Sequence, residues 1–185
     1  MLKTPGKRRL TVAVAAAIVL LAAMPGSSRA ADDVTPSALK AAFLFNFAKF
    51  TDWTGAPSAG PIVLCVANDD QIETALADSV RGQSINGRGV EVRRVKSDNA
   101  LPPCHLLFVP GSEARQMLAR IGREASLLTV SDGTGFAQAG GMIELFQDSG
   151  RMRFAINVDT AQRSRVRLSS RLLDLAKIVR TQHGQ

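Results

Sequence analysis

The chain reads as an α/β protein built on a mainly parallel sheet. Three observations carry that reading. Short continuous apolar runs, "IVLCVA" at 62–67, "CHLLFVP" at 104–110 and "SLLTVSD" at 126–132, have the composition of strands buried on both faces. Between them lie segments with apolar residues three and four apart, the period of a helix. The two patterns alternate through most of the chain, as they do when helical crossovers join parallel strands.

Residues 1–30 stand apart from this alternation. Lys3, Lys7, Arg8 and Arg9 make a basic start, and Leu10 to Met24 carries no charge. Pro25 and Gly26 break a helix, and Ser28-Arg29-Ala30 places small residues where a signal peptidase reads. The uncharged run falls short of the roughly 20 residues a spanning helix needs. A cleavable export signal is expected, with the mature chain starting at Ala31 and residues 31–185 forming one domain. No cysteine lies near the cleavage point to carry a lipid anchor. Losing Lys3, Lys7, Arg8, Arg9 and Arg29 takes the formal charge from +7 to +2. The basic balance that suggests nucleic acid therefore belongs to the leader, and no nucleic-acid partner is expected.

Residues 36–52 read as a helix. Thr35 or Ser37 can cap it, and Pro36 suits its first turn. It opens the stretch "FLFNFAKFTDW", which holds five of the nine aromatic residues of the chain. At 100° per residue, Leu39, Phe43, Asn46, Phe47, Phe50 and Trp53 fall on one stripe and read as core. Phe45 falls opposite, with Ala41, Ala48 and Asp52. A large apolar side chain there is either covered by another part of the fold or turned to a partner.

A loop at 55–61 leads into strand 62–67. Residues 69–80 form a helix striped by Ile72, Leu76 and Val80, and a turn then gives an alternating strand at 90–95. Strand 104–110 is followed by a helix at 112–122 bearing Met117, Leu118 and Ile121. Strand 126–132 and a short helical turn in "GTGFAQAGG" come next. "MIELFQ" and "RMRFAIN" around "DSG" predict a β-hairpin with Gly150 in its turn, added antiparallel at one edge of the sheet. After Ser169 and Ser170, residues Leu172, Leu175, Ala176 and Val179 predict a final helix.

Few residues suggest chemistry. The cysteines, Cys65 and Cys104, are too far apart for a redox CxxC, and in an exported protein they read as a disulfide or as two buried thiols. Cys104-His105 is a poor nucleophile and base, because neighbours on a strand point to opposite faces. With two histidines in the chain, one of them His183 in the tail, no metal site is expected. "PGSEARQ" can hold an anion at a helix start but lacks the spacing and lysine of a phosphate-binding loop. Gly133 and Gly135 lack the third glycine of a dinucleotide fingerprint, so no cofactor is expected. "RSRVRLSSR" sets Arg163, Arg165, Arg167 and Arg171 within nine residues, either as a solvated edge or as a contact for an acidic partner.

Taken in order, "LKAAFLFNFAKFTDW", "LCVAND", "INGRGVEVRRV", "CHLLFVP", "LLTVSDGTGFAQAGGMIELF" and "RFAINVDTAQRSRVRLSSRLLDLAK" resemble the YfiR-like periplasmic family, from Leu39 to about Lys177. The resemblance implies a Rossmann-like three-layer sandwich, a homodimer and no enzymatic activity. It implies a repressor that binds the periplasmic sensor domain of an inner-membrane diguanylate cyclase, lowering cyclic di-GMP and restraining biofilm formation. It also implies that Cys65 and Cys104 pair, with a link to envelope redox state. Phe45, Arg163 and Arg165 are the candidate contacts with the partner. The competing expectation is a periplasmic small-ligand sensor that uses the crevice at the carboxyl ends of the parallel strands.

Overall fold

The computed structural model describes residues 34–53, 59–96, 100–121 and 126–181. The expected export signal, residues 1–30, lies outside them. The apolar runs form the middle of a sheet: β2 (Ile62–Ala67), β5 (Leu106–Val109) and β6 (Leu128–Ser131), every residue of which is buried. Ahead of β2, β1 (Thr51–Trp53) belongs to a separate two-stranded ribbon described below. β3 (Ser84–Ile85) and β4 (Arg88–Val95) lie on one side of the middle strands, and β7 (Ile143–Asp148) and β8 (Arg151–Asn157) on the other. β9 (Val166–Leu168) pairs with β1, and β10 (Lys177–Val179) closes the main sheet.

The main sheet has eight strands in the order β10-β8-β7-β6-β5-β2-β4-β3. From β4 to β7 the five strands are parallel. Their order is the 2-1-3-4-5 of flavodoxin-like doubly wound sheets, not the Rossmann 3-2-1-4-5-6. Helices cover both faces. Ile72, Leu76 and Val80 of α2 (Asp70–Val80) share one core with Ile62, Leu64 and Val66. Met117 of α3 (Ala114–Arg120) shares the other with Val63, Cys65 and Ala67. The alternation along β2 feeds both cores, as period-two side chains must.

α1 (Pro36–Lys49) begins as expected, with Thr35 accepting from Ala38 N at 3.1 Å and Pro36 in the first turn. Its phase differs. Ala41, Leu44, Phe47 and Ala48 are the buried residues, while Ala42, Asn46 and Lys49 face solvent. The buried face lies more than a quarter-turn from the predicted stripe, because apolar residues occur all round the helix and its neighbours, not its own pattern, set which side is covered. The helix also ends earlier than predicted: Thr51 and Trp53 are buried in β1.

The hairpin β7–β8 forms as predicted. Asp148 pairs with Arg151, leaving Ser149 and Gly150 as a two-residue turn with φ of 51° and 75°, the left-handed pair such a turn requires. It is not the edge. β10 adds parallel to β8, where a continuous helix was predicted. The C-terminal helix α5 is short (Ser170–Asp174), capped by Ser169, and Leu175 beyond it is 75% exposed. A strand forms here because the outer edge of β8 offers main-chain hydrogen bonds that a longer helix would leave unmade.

Candidate functional site

At the sheet centre, Cys65 of β2 is bonded to Cys104 in a disulfide that joins positions 39 residues apart. Cys65 is fully buried. Cys104 precedes β5, the parallel neighbour of β2, and its Cα lies 6.0 Å from that of Cys65. That separation is within the range a disulfide spans. With both sulfurs bonded there is no thiol for His105 to activate.

His105 has a different role, which its position beside Cys104 did not suggest. Its N–H donates to Val63 O at 2.8 Å, and its Nδ1 accepts from Val63 N at 3.1 Å. Its carbonyl accepts from Leu128 N at 2.9 Å and from Trp53 Nε1 at 2.8 Å. The indole meets the imidazole edge-on at 5.3 Å. A guanidinium nitrogen of Arg88 lies 3.3 Å from Nε2, and Arg88 also donates to the carbonyls of Gly60 and Pro61. With Nδ1 accepting from Val63, the neutral ring carries its one proton on Nε2, and the Arg88 guanidinium lies beside that nitrogen and disfavours a charged ring. Burial first, and the Arg88 charge second, hold the His105 pKa below its ordinary value. The sequence signal was a histidine at the mouth of an otherwise apolar strand.

The carboxyl ends of the parallel strands hold the second cluster. Asp132, after β6, accepts from Gly111 N at 2.8 Å and pairs with Lys40 of α1. The turn "PGSEARQ", which can hold an anion but lacks the features of a phosphate-binding loop, receives a carboxylate of this chain. A Cβ on Gly111 would come 2.7 Å from Gly133 Cα, so the two loops touch backbone to backbone. Asn68 donates to both carboxylate oxygens of Glu113, at 3.0 and 2.9 Å. Buried Glu144 accepts from Gly135 N at 3.0 Å and Ala137 N at 3.1 Å. Asp132, Gly135 and Glu144 also line a cavity of about 500 Å³ at this end of the sheet. Among the described residues no group of His, Cys, Asp or Glu is arranged to hold a metal ion.

The partner-contact candidates lie elsewhere. Phe45 is half-buried against the larger core, with Lys49 Nζ 5.5 Å from its ring centroid. Arg163 ends α4 (Val158–Arg163) and donates to the hydroxyls of Thr160 and Thr181, at 3.1 and 3.2 Å. Arg165 is exposed and left-handed, with φ of 56°. Both arginines lie next to β9, which pairs with β1, an arrangement the sequence reading did not contain.

Fold and site together define a doubly wound α/β domain, stapled through its sheet centre by one disulfide and basic along its C-terminal ribbon. The chain belongs to the YfiR/HmsC-like family, which it matches over residues 37–177. No curated protein matches it.

Proposed function

We propose that this protein is a periplasmic regulator that binds the periplasmic sensor domain of an inner-membrane diguanylate cyclase. In this reading it represses the cyclase, lowers cyclic di-GMP and restrains biofilm formation, without catalysis of its own. Membership of the YfiR/HmsC-like family over residues 37–177 carries the reading. The Cys65–Cys104 bridge supports an oxidising compartment, as does the signal-like pattern of residues 1–30. Among the described residues no helix is long and apolar enough to cross a membrane. Repression therefore calls for docking on the outer domain of the cyclase. A homodimer is the proposed working form, with Phe45, Arg163 and Arg165 as proposed contacts.

Deleting the gene and measuring cyclic di-GMP tests the reading. The level rises in the deletion strain and falls on re-expression, and a membrane cyclase co-purifies with the tagged protein. An unchanged level together with no co-purified cyclase overturns it.

A further inference from the structure

The two edges of the main sheet are finished differently. At one end β3 pairs with β4 at Arg88 and Gly89, and residues 90–95 of β4 have no further strand beside them. That stretch is charged and tied up in ion pairs. Glu91 holds Arg93, and Arg94 holds Asp70 and Glu73. Charges along an edge strand deter the addition of another strand. At the other end β10 has β8 as its one neighbour in the sheet, with Lys177 and Ile178 exposed. Among the described residues no turn, cap or side chain bonds to the main chain of Lys177–Val179 outside that ladder. An edge strand of this kind turns unpaired N–H and C=O groups outward.

The side chains repeat the contrast. Paired residues of neighbouring strands lie side by side on one face of a sheet. Val130, Ile143, Ile156 and Ile178 form such a row across β6, β7, β8 and β10. The first three are fully buried members of the larger core, whereas Ile178 is 46% exposed. The row therefore runs out of the core into solvent. Leu175, just ahead of β10, is 75% exposed and lines a cavity of about 590 Å³ with Phe146 and Phe154. Exposed Asp174 and exposed Arg180 flank β10 with opposite charges.

We infer that β10 is the seam of a homodimer, in which a second copy adds its own β10 antiparallel about a two-fold axis at Ile178. The outward main-chain groups of the two strands bond one another. Each Ile178 meets its counterpart, so the apolar row continues from one core into the next. In this register Ala176 of each copy lies opposite Arg180 of the other, which brings Asp174, two residues earlier, toward a base. A purely acidic or purely basic segment would match one end of β10 and clash with the other, whereas a second copy matches both. The pairing uses the open edge of each copy, so the assembly closes at two. The inference rests on the homodimer of the functional reading and leaves Phe45, Arg163 and Arg165 to the cyclase.

Sedimentation equilibrium of the purified exported protein is the test, and wild type sediments as a dimer. Ile178→Lys and Ile178→Glu each weaken dimerisation by at least about tenfold, because like charges then oppose each other across the axis. Mixing the two variants restores a dimer, since opposite charges then meet. Both variants keep the wild-type circular dichroism, because Ile178 lies at the edge of the core. Ile178→Cys gives a cross-linked dimer under mild oxidation, the axis setting the two thiols within disulfide reach, and Glu91→Cys on the opposite edge gives none. A monomer at every soluble concentration overturns the inference, as does a mixture of the charge variants that stays monomeric. A dimer that Ile178→Lys leaves intact and Phe45→Ser dissolves also overturns it, and would assign the contact to α1. A dimer lost in Ile178→Lys, in a strain where gene deletion leaves cyclic di-GMP unchanged, keeps the seam and removes the regulator. Repression of cyclic di-GMP by a protein that sediments as a monomer keeps the regulator and removes the seam.

Discussion

The centre of the sheet and the segment from Val158 to Thr181 use apolar residues in opposite ways. In β2 and β5 every side chain is buried, and a disulfide ties β2 to Cys104, just ahead of β5. In the C-terminal segment the elements are three to six residues long, β10 is largely exposed, and Leu175 and Ile178 are 75% and 46% exposed. That segment is held by lateral hydrogen bonds: β9 to β1, β10 to β8, and fully buried Asn157 to Ala137 O at 2.7 Å and Thr181 Oγ1 at 3.0 Å. The contrast separates a region held by buried apolar packing from one held by lateral hydrogen bonds beneath a polar and basic surface.

The comparison breaks most visibly in the core. Phe47 is 1% exposed and packs against Phe154 at 5.0 Å and Phe43 at 5.8 Å. Phe47→Ala should lower stability by about 3–5 kcal/mol in urea denaturation. Half-buried Phe45→Ala should cost below about 2 kcal/mol. Equal losses would mean that the two faces of α1 are packed alike.

Removing the staple should come next. Cys104→Ser should destabilise the domain by about 2–4 kcal/mol, since the bridge closes a long loop in the unfolded chain. Mass spectrometry of unreduced, alkylated protein checks the bridge, and two alkylated thiols in native material would refute it.

A smaller effect should appear with pH. The folded-state pKa of His105 is depressed, so the unfolded chain takes up a proton more readily. The contribution of the neutral ring is complete above the unfolded value of about 6.5 and is lost as pH falls through it toward the folded value. Denaturation followed by Trp53 fluorescence should show wild type losing more stability between neutral pH and pH 5 than His105→Gln does. Trp53 is the only tryptophan and touches the imidazole, so it reports both ring and fold. Identical pH profiles would remove His105 from the account.

The smallest change in stability should come from the basic segment. Arg163→Ala and Arg165→Ala should each alter it by no more than about 0.5 kcal/mol, because exposed charges contribute little. A collapse of the melting temperature would show that this segment supports the fold as the centre does.

Legibility followed the same division. The runs at 62–67, 106–109 and 128–131, the stripe of α2 and the hairpin turn at Ser149-Gly150 were readable because each is determined within a few residues. The phase of α1 was not, since a helix with apolar residues all round gives no preferred direction until its neighbours are placed. His105 was readable as a residue of interest but not in its role, which depends on Trp53, Val63 and Arg88 arriving from three other parts of the chain.

The sequence by itself determined that this is an α/β chain with a buried parallel centre and an added hairpin. Local periodicity and turn chemistry suffice for that, because they act over a few residues. Only the tertiary structure decided that residues 177–179 form a strand, that β9 pairs with β1, and that Asp132 takes the main-chain N–H of Gly111. Each of those outcomes depends on a hydrogen-bonding partner distant in sequence, and hydrophobic period carries no record of which distant backbone will be within reach.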